Sequence, residues 1–117
     1  MSNFNAGDKV GSIDTAVVMS ASSSGTAVEL GAWEYAMFSI EWAGADQLDA
    51  TCWLEVSRTG TSGWEIYPDS TVAMASAAGA HHWDVWLRAI PYVRVGFGHG
   101  TATAGTFNTY YRNEVPV

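Results

Sequence analysis

Residues 81–84 read HHWD, placing two imidazoles and a carboxylate, the groups that ligate metals and move protons, within four positions. On an extended chain His82 and Asp84 share one face, and His81 faces the other way or sits in a turn. A zinc site needs three or four ligands converging on one point, and His99, in the segment GHG, is too remote in sequence to supply a third by spacing alone. The economical reading is a polar strand face with no metal and no cofactor. Glu41 and Glu55 are the other pair with catalytic potential, since two carboxylates about 5 Å apart on adjacent strands would suit a retaining glycosidase. Carboxylates on outer strand faces are commonplace, however, and so short a chain leaves little room for a cleft. The serines at 20–24 sit in turn-forming runs without a nucleophile elbow. Gly96, Gly98, Gly100 and Gly105 do not open a helix, which argues against a phosphate loop. These patterns lead us to expect a protein that is not an enzyme.

The elements that must position these groups follow from composition and patterning. A chain of 117 residues, 48% hydrophobic and only 15% charged, has room for one domain with one core and a surface made largely of Ser, Thr, Gly and Ala. With a net charge of −7, the single lysine Lys9 and scattered arginines form no cationic patch for a nucleic acid. The apolar runs are far shorter than the roughly 20 residues of a membrane-crossing helix. MSNFNAGDKVG has no basic start or apolar stretch, so no signal peptide is read. Cys52 is alone, which leaves no internal disulfide and suits folding in a reducing cytoplasm.

Alternation with a period of two dominates the chain, interrupted by Gly, Ser, Pro and Asp clusters. Ala36, Phe38, Ile40 and Trp42 fall on one face of residues 35–43; Cys52, Leu54 and Val56 repeat the pattern after the loop GADQLD. Further strands are predicted near 12–19, 26–30, 64–67, 71–74, 82–88, 92–97 and 106–112, with 70–78 as either a short helical turn or a loop carrying a strand fragment. Eight or nine short strands without helical crossovers predict an all-β, antiparallel two-sheet sandwich of jelly-roll type over residues 12–117. An immunoglobulin-like sandwich ranks second because its Cys–Trp–Cys spacing is absent. Residues 1–11 read as an extended arm, with Phe4 and Lys9 as contact residues.

Six tryptophans and five tyrosines exceed what one small core absorbs. If Trp42 and Trp83 point inward, Trp53 falls outward beside Glu55, and Trp86 outward beside Asp84. Tyr92 and Arg94 share a face opposite Val93 and Val95, and Arg94 is expected to pair with Asp84 or Glu55. Trp53, Glu55, Asp84, Trp86, Tyr92 and Arg94 are therefore the candidate binding face. Exposed aromatics suit a protein interface or stacking on sugar rings.

Two segments, SRTGTSGWEIYP at 57–68 and WLRAIPYVRVGFGHGTATAGTFNTYY at 86–111, resemble a group of small structural proteins of tailed bacteriophages. The shared features are a strand ending in Ser57, a turn with Gly60 and Gly63, Trp64 opening the next strand, and the run Pro91, Tyr92, Val93, Arg94, Val95. The resemblance implies a jelly-roll virion component such as a capsid decoration protein, assembled in the host cytoplasm. It would bind the major capsid protein or another virion protein, as a homo-oligomer, with a trimer as the natural guess. A tail-associated virion protein is an alternative within that group. A carbohydrate-binding module is the other alternative, using Trp53, Trp86 and Tyr92 to stack on a glycan and Glu55 and Asp84 to bond its hydroxyls.

Overall fold

The structure, a computed structural model, describes residues 9–30, 35–86 and 92–114, with Lys9, Val10, Tyr35, Trp86, Asn113 and Glu114 described by their backbone alone. Among the described residues ten strands run β1 (Lys9–Val18), β2 (Ser23–Ser24), β3 (Val28–Glu29), β4 (Tyr35–Ala43), β5 (Ala50–Ser57), β6 (Glu65–Ile66), β7 (Val72–Met74), β8 (Gly79–Trp86), β9 (Tyr92–Gly98) and β10 (Thr106–Glu114). All their pairings are antiparallel. A four-stranded sheet has the order β1-β10-β4-β8, and a six-stranded sheet the order β2-β9-β5-β6, with β3 on β9 and β7 on β5. Successive long strands cross between the sheets, from β4 to β5, β8 to β9 and β9 to β10. This is the jelly-roll two-sheet sandwich the alternation predicted. Residues 70–78 hold the strand fragment β7 rather than a helical turn.

The core lies between the sheets where the period of two put it. Ala36, Phe38, Ile40, Trp83, Val85 and Phe107 face Cys52, Leu54, Met74, Val93, Val95 and Phe97, all buried. Trp42 and Trp83 point inward, each 7% exposed. Their indole N–H groups donate to the backbone carbonyls of Ser76, at 2.9 Å, and Ser70, at 2.7 Å. Burial of these rings is thus achieved without an orphaned donor. Burial also pushes the Cys52 thiol up to about 12, so it is a packing group and not a nucleophile.

One expectation about position is corrected. The strand β1 begins at Lys9, paired with Asn113, so residues 9–11 belong to the sheet rather than to a free arm; Phe4 lies outside the described residues. The strands β4 and β5 follow one another in sequence but lie in different sheets, because the chain crosses the sandwich through residues 44–49. That loop is tied down by carboxylates. Asp46 accepts from Thr103 N (2.8 Å), Ala104 N (3.1 Å) and the Thr103 hydroxyl, while Asp49 accepts from Thr101 N (3.1 Å) and Oγ1 (2.8 Å). These bonds hold both carboxyls below their ordinary value of 3.8, the Thr103 hydroxyl leading for Asp46 and the Thr101 N–H for Asp49.

A depressed value in the folded state means that the stabilisation is complete above 3.8 and is lost as pH falls through the lowered value. The native protein should therefore lose thermal stability on acidification below that point. The Asp46→Asn/Asp49→Asn variant should be less stable at neutral pH and show a smaller further loss. Thermal melts across that pH range check this; parallel acid profiles for the two proteins would contradict it.

Candidate functional site

The outer face of the six-stranded sheet carries an ordered aromatic and ionic array. In the β5–β9 register Trp53 lies opposite Gly96, Glu55 opposite Arg94, and Ser57 opposite Tyr92. Side chains directly opposite on one face are within reach of each other, so this register brings the carboxylate to the guanidinium. Arg94 Nε donates to Glu55 Oε1 at 2.6 Å, with the two side chains 22% and 14% exposed. The other oxygen, Oε2, accepts from Trp53 Nε1 at 2.7 Å. Arg94 pairs with Glu55, one of its two expected partners.

Glycine makes the arrangement possible at two points. A Cβ on Gly96 would stand 2.2 Å from Trp53 Nε1, so the indole lies directly on bare backbone. Gly60, at φ +78°, lies where a Cβ would sit 2.8 Å from the Tyr92 ring. The turn holding Gly60 is built by Ser57, whose Oγ accepts from Thr59 N (3.2 Å) and Gly60 N (3.1 Å) and donates to Ser62 O (2.5 Å). A strand ending in Ser followed by a Gly-rich turn is thereby explained: the hydroxyl caps the turn that returns the chain over the sheet.

That return delivers a residue the spacing had not placed in the site. Trp64 lies with its ring centroid 4.0 Å from the Arg94 guanidinium carbon, a cation–π contact that stacks indole on guanidinium. Glu29, on β3, is the second addition: it accepts from the Tyr92 hydroxyl at 3.2 Å and holds that phenol above its ordinary value of 10. Trp64 stood in the motif SRTGTSGW, but only the fold shows which side chain it covers.

Asp84 is not part of this array. It lies on β8 in the four-stranded sheet, exposed on the opposite outer surface of the sandwich, in register with Met37 of β4. The Trp86 side chain lies outside the described residues, and its backbone is on β8. The single binding face expected from alternation is therefore split, because inward and outward are defined separately for each sheet. Glu41 and Glu55 are likewise separated: Glu41 is outward on β4 and accepts from the Tyr110 hydroxyl at 2.9 Å. They cannot act as a catalytic pair across one cleft.

His82 is exposed beside Asp84, and His81 turns inward with its ring 4.9 Å from that of Trp83, edge to face. Burial first, and the neighbouring His82 second, lower the His81 value from 6.5. His99 belongs to the other sheet's end, where Nδ1 is 2.9 Å from Ser22 Oγ and the backbone N–H donates to the same hydroxyl at 3.1 Å. Among the described residues no three His, Cys, Asp or Glu side chains converge as a metal site would require.

No family model and no curated protein sequence matches the chain. Solved structures do. The crystal structure of the PBSX exported protein XepA matches at a TM-score of 0.63 and 17% identity, over 100% of this chain and 40% of XepA. The SPBc2 prophage-derived protein YomS matches at 0.55 and 8% identity, over 97% of this chain and 100% of YomS. The chain thus spans well under half of XepA and about the whole of YomS. At these identities the shared property is the fold: the chain has the β-sandwich seen in both proteins.

Proposed function

We propose that the chain is a non-enzymatic structural protein of a bacteriophage virion, a capsid decoration protein whose β5–β9 face seats on the major capsid protein. The observation that carries this reading is the array of Trp53, Glu55, Arg94 and Trp64. Large rings and an arginine, braced in one geometry by an ion pair, are the side chains that dominate protein interfaces and lose little freedom on docking. The glutamate is engaged by Trp53 and Arg94, which suits a brace better than a proton carrier. The prophage origin in the name of the SPBc2 prophage-derived protein YomS, which shares the sandwich, supports the phage setting. The virion, assembled in the host cytoplasm, is then the place of action.

A glycan reading rests on narrower ground. Trp53 lies flat on Gly96 and Gly98, a posture suited to stacking on a sugar ring, but Asp84 is not at hand to bond the hydroxyls.

Co-sedimentation with capsids assembled without the protein tests the proposal. The native protein should bind saturably, and Trp64→Ala should bind about tenfold more weakly or worse, as removal of an interface anchor does. No binding of the native protein overturns it. Saturable quenching of tryptophan fluorescence by a sugar, abolished in Trp53→Ala, would assign the face to a glycan.

A further inference from the structure

Sheet edges carry unpaired backbone N–H and C=O groups and are usually blunted against pairing with other chains. Most edges of this sandwich are. The β1 edge is broken by register shifts between Ser12 and Asp14 and between Asp14 and Val17, with Ala16 at φ 50°. The six-stranded sheet ends in β2, β3, β6 and β7, none longer than three residues. The exception among the described residues is β8. It pairs with β4 in unbroken register from Trp42↔Gly79 to Tyr35↔Trp86 and contains no Pro, Lys or Arg. No described strand pairs with its other edge.

We infer that β8 is the edge through which two copies of this chain associate, antiparallel about a two-fold axis at Trp83, joining two four-stranded sheets into one of eight strands. The argument for a second copy is the strand's self-complementarity. With the axis at Trp83, Ala80 through Trp86 all find partners within β8. His82 then stands opposite the partner's Asp84, and Asp84 opposite the partner's His82, so the symmetry makes the pair twice. Directly opposite residues share a face, and His82 and Asp84 are both exposed on the outer face. Other in-phase registers lose this match: an axis at His82 sets it against its own copy, and an axis at Asp84 opposes two carboxylates.

Glu41 is engaged by Tyr110, and Arg112 on β10 is separated from Asp84 by Met37 on β4. Asp84 has an interaction within its own chain, and a carboxylate has several acceptor sites, so it can also take an imidazole N–H. The HHWD motif thus becomes an association edge rather than a reactive site. This contact does not depend on what the β5–β9 face binds, since it lies on the other sheet.

Sedimentation velocity over a concentration series tests the inference, with circular dichroism to confirm folding. The native protein should form a dimer. His82→Glu, which opposes two pairs of carboxylates, should weaken it about tenfold. His82→Glu/Asp84→Lys, which inverts both charges, should restore it. Hydrogen exchange on the native protein supplies a measurement free of variants: β8 amides should become more protected as concentration rises. A native monomer throughout, an unchanged dimer in His82→Glu, failure of the double variant to restore association, or concentration-independent exchange in β8 would each overturn the inference. Capsid binding reads the other surface, so it can fail while this holds.

Discussion

Replacing Trp83 with alanine is expected to lower the unfolding free energy by about 3–5 kcal/mol, the range for removal of a buried aromatic from a packed core. The reason lies in what the ring joins. Trp83 belongs to the four-stranded sheet, yet its indole N–H donates at 2.7 Å to the carbonyl of Ser70, just before β7. Ser70 itself is 2% exposed, and its hydroxyl takes the Leu54 N–H at 3.1 Å and faces the Leu54 carbonyl at 3.3 Å. One side chain therefore links β8 to β5 through Ser70. Alanine leaves a cavity and removes the buried carbonyl's indole partner, and the two costs fall together. Phenylalanine separates them: it keeps most of the volume but not the donor, and should cost about 1–3 kcal/mol. Denaturant titration by circular dichroism, at one protein concentration for all variants, measures both. A Trp83→Ala loss below about 1 kcal/mol would show that the seam does not couple the sheets.

The second large effect is expected at Glu55. Its two oxygens serve two donors, Arg94 Nε at 2.6 Å and Trp53 Nε1 at 2.7 Å. Glu55→Ala strands a half-buried guanidinium and an indole N–H, at an expected cost of about 1–3 kcal/mol. Removing both members of the ion pair should cost less than removing one, since the penalty arises from the partner left behind. Glu55→Leu/Arg94→Leu should therefore be more stable than Glu55→Ala, although it loses the charges. Near-ultraviolet circular dichroism should follow the same order as stability for Glu55→Ala, because Trp53 and Trp64 both lose their bracing. If the double variant is the less stable of the two, the pair contributes more than the cost of its desolvation.

The array also explains how far local patterning reaches. Residues 35–43 and 50–57 show their inward and outward positions by alternation, and the buried Ala36, Phe38, Ile40, Cys52 and Leu54 lie on the predicted face. Trp53, Glu55, Tyr92 and Arg94 gather as expected because β5 and β9 are neighbours in one sheet. Alternation groups Asp84 with them because its strand has the same period, but alternation reports only which side of its own sheet a residue takes. Two outward residues on different sheets lie on opposite surfaces of the sandwich. Trp64 is hidden from patterning for the converse reason: it precedes the two-residue β6 and reaches Arg94 through a turn, so no strand period indicates its direction.

The sequence by itself determined the all-β class, the inward rings of Trp42 and Trp83, the lone thiol at Cys52 and the outward placement of His82 and Asp84. These depend on a two-residue period and on composition, both of which are local. The tertiary structure alone decided that Glu55 is Arg94's partner, that Glu41 and Glu55 stand apart, and that β8 ends its sheet. Pairing in a jelly roll is long-range: β10 lies between β1 and β4, and β9 beside β5, across separations that no local period encodes.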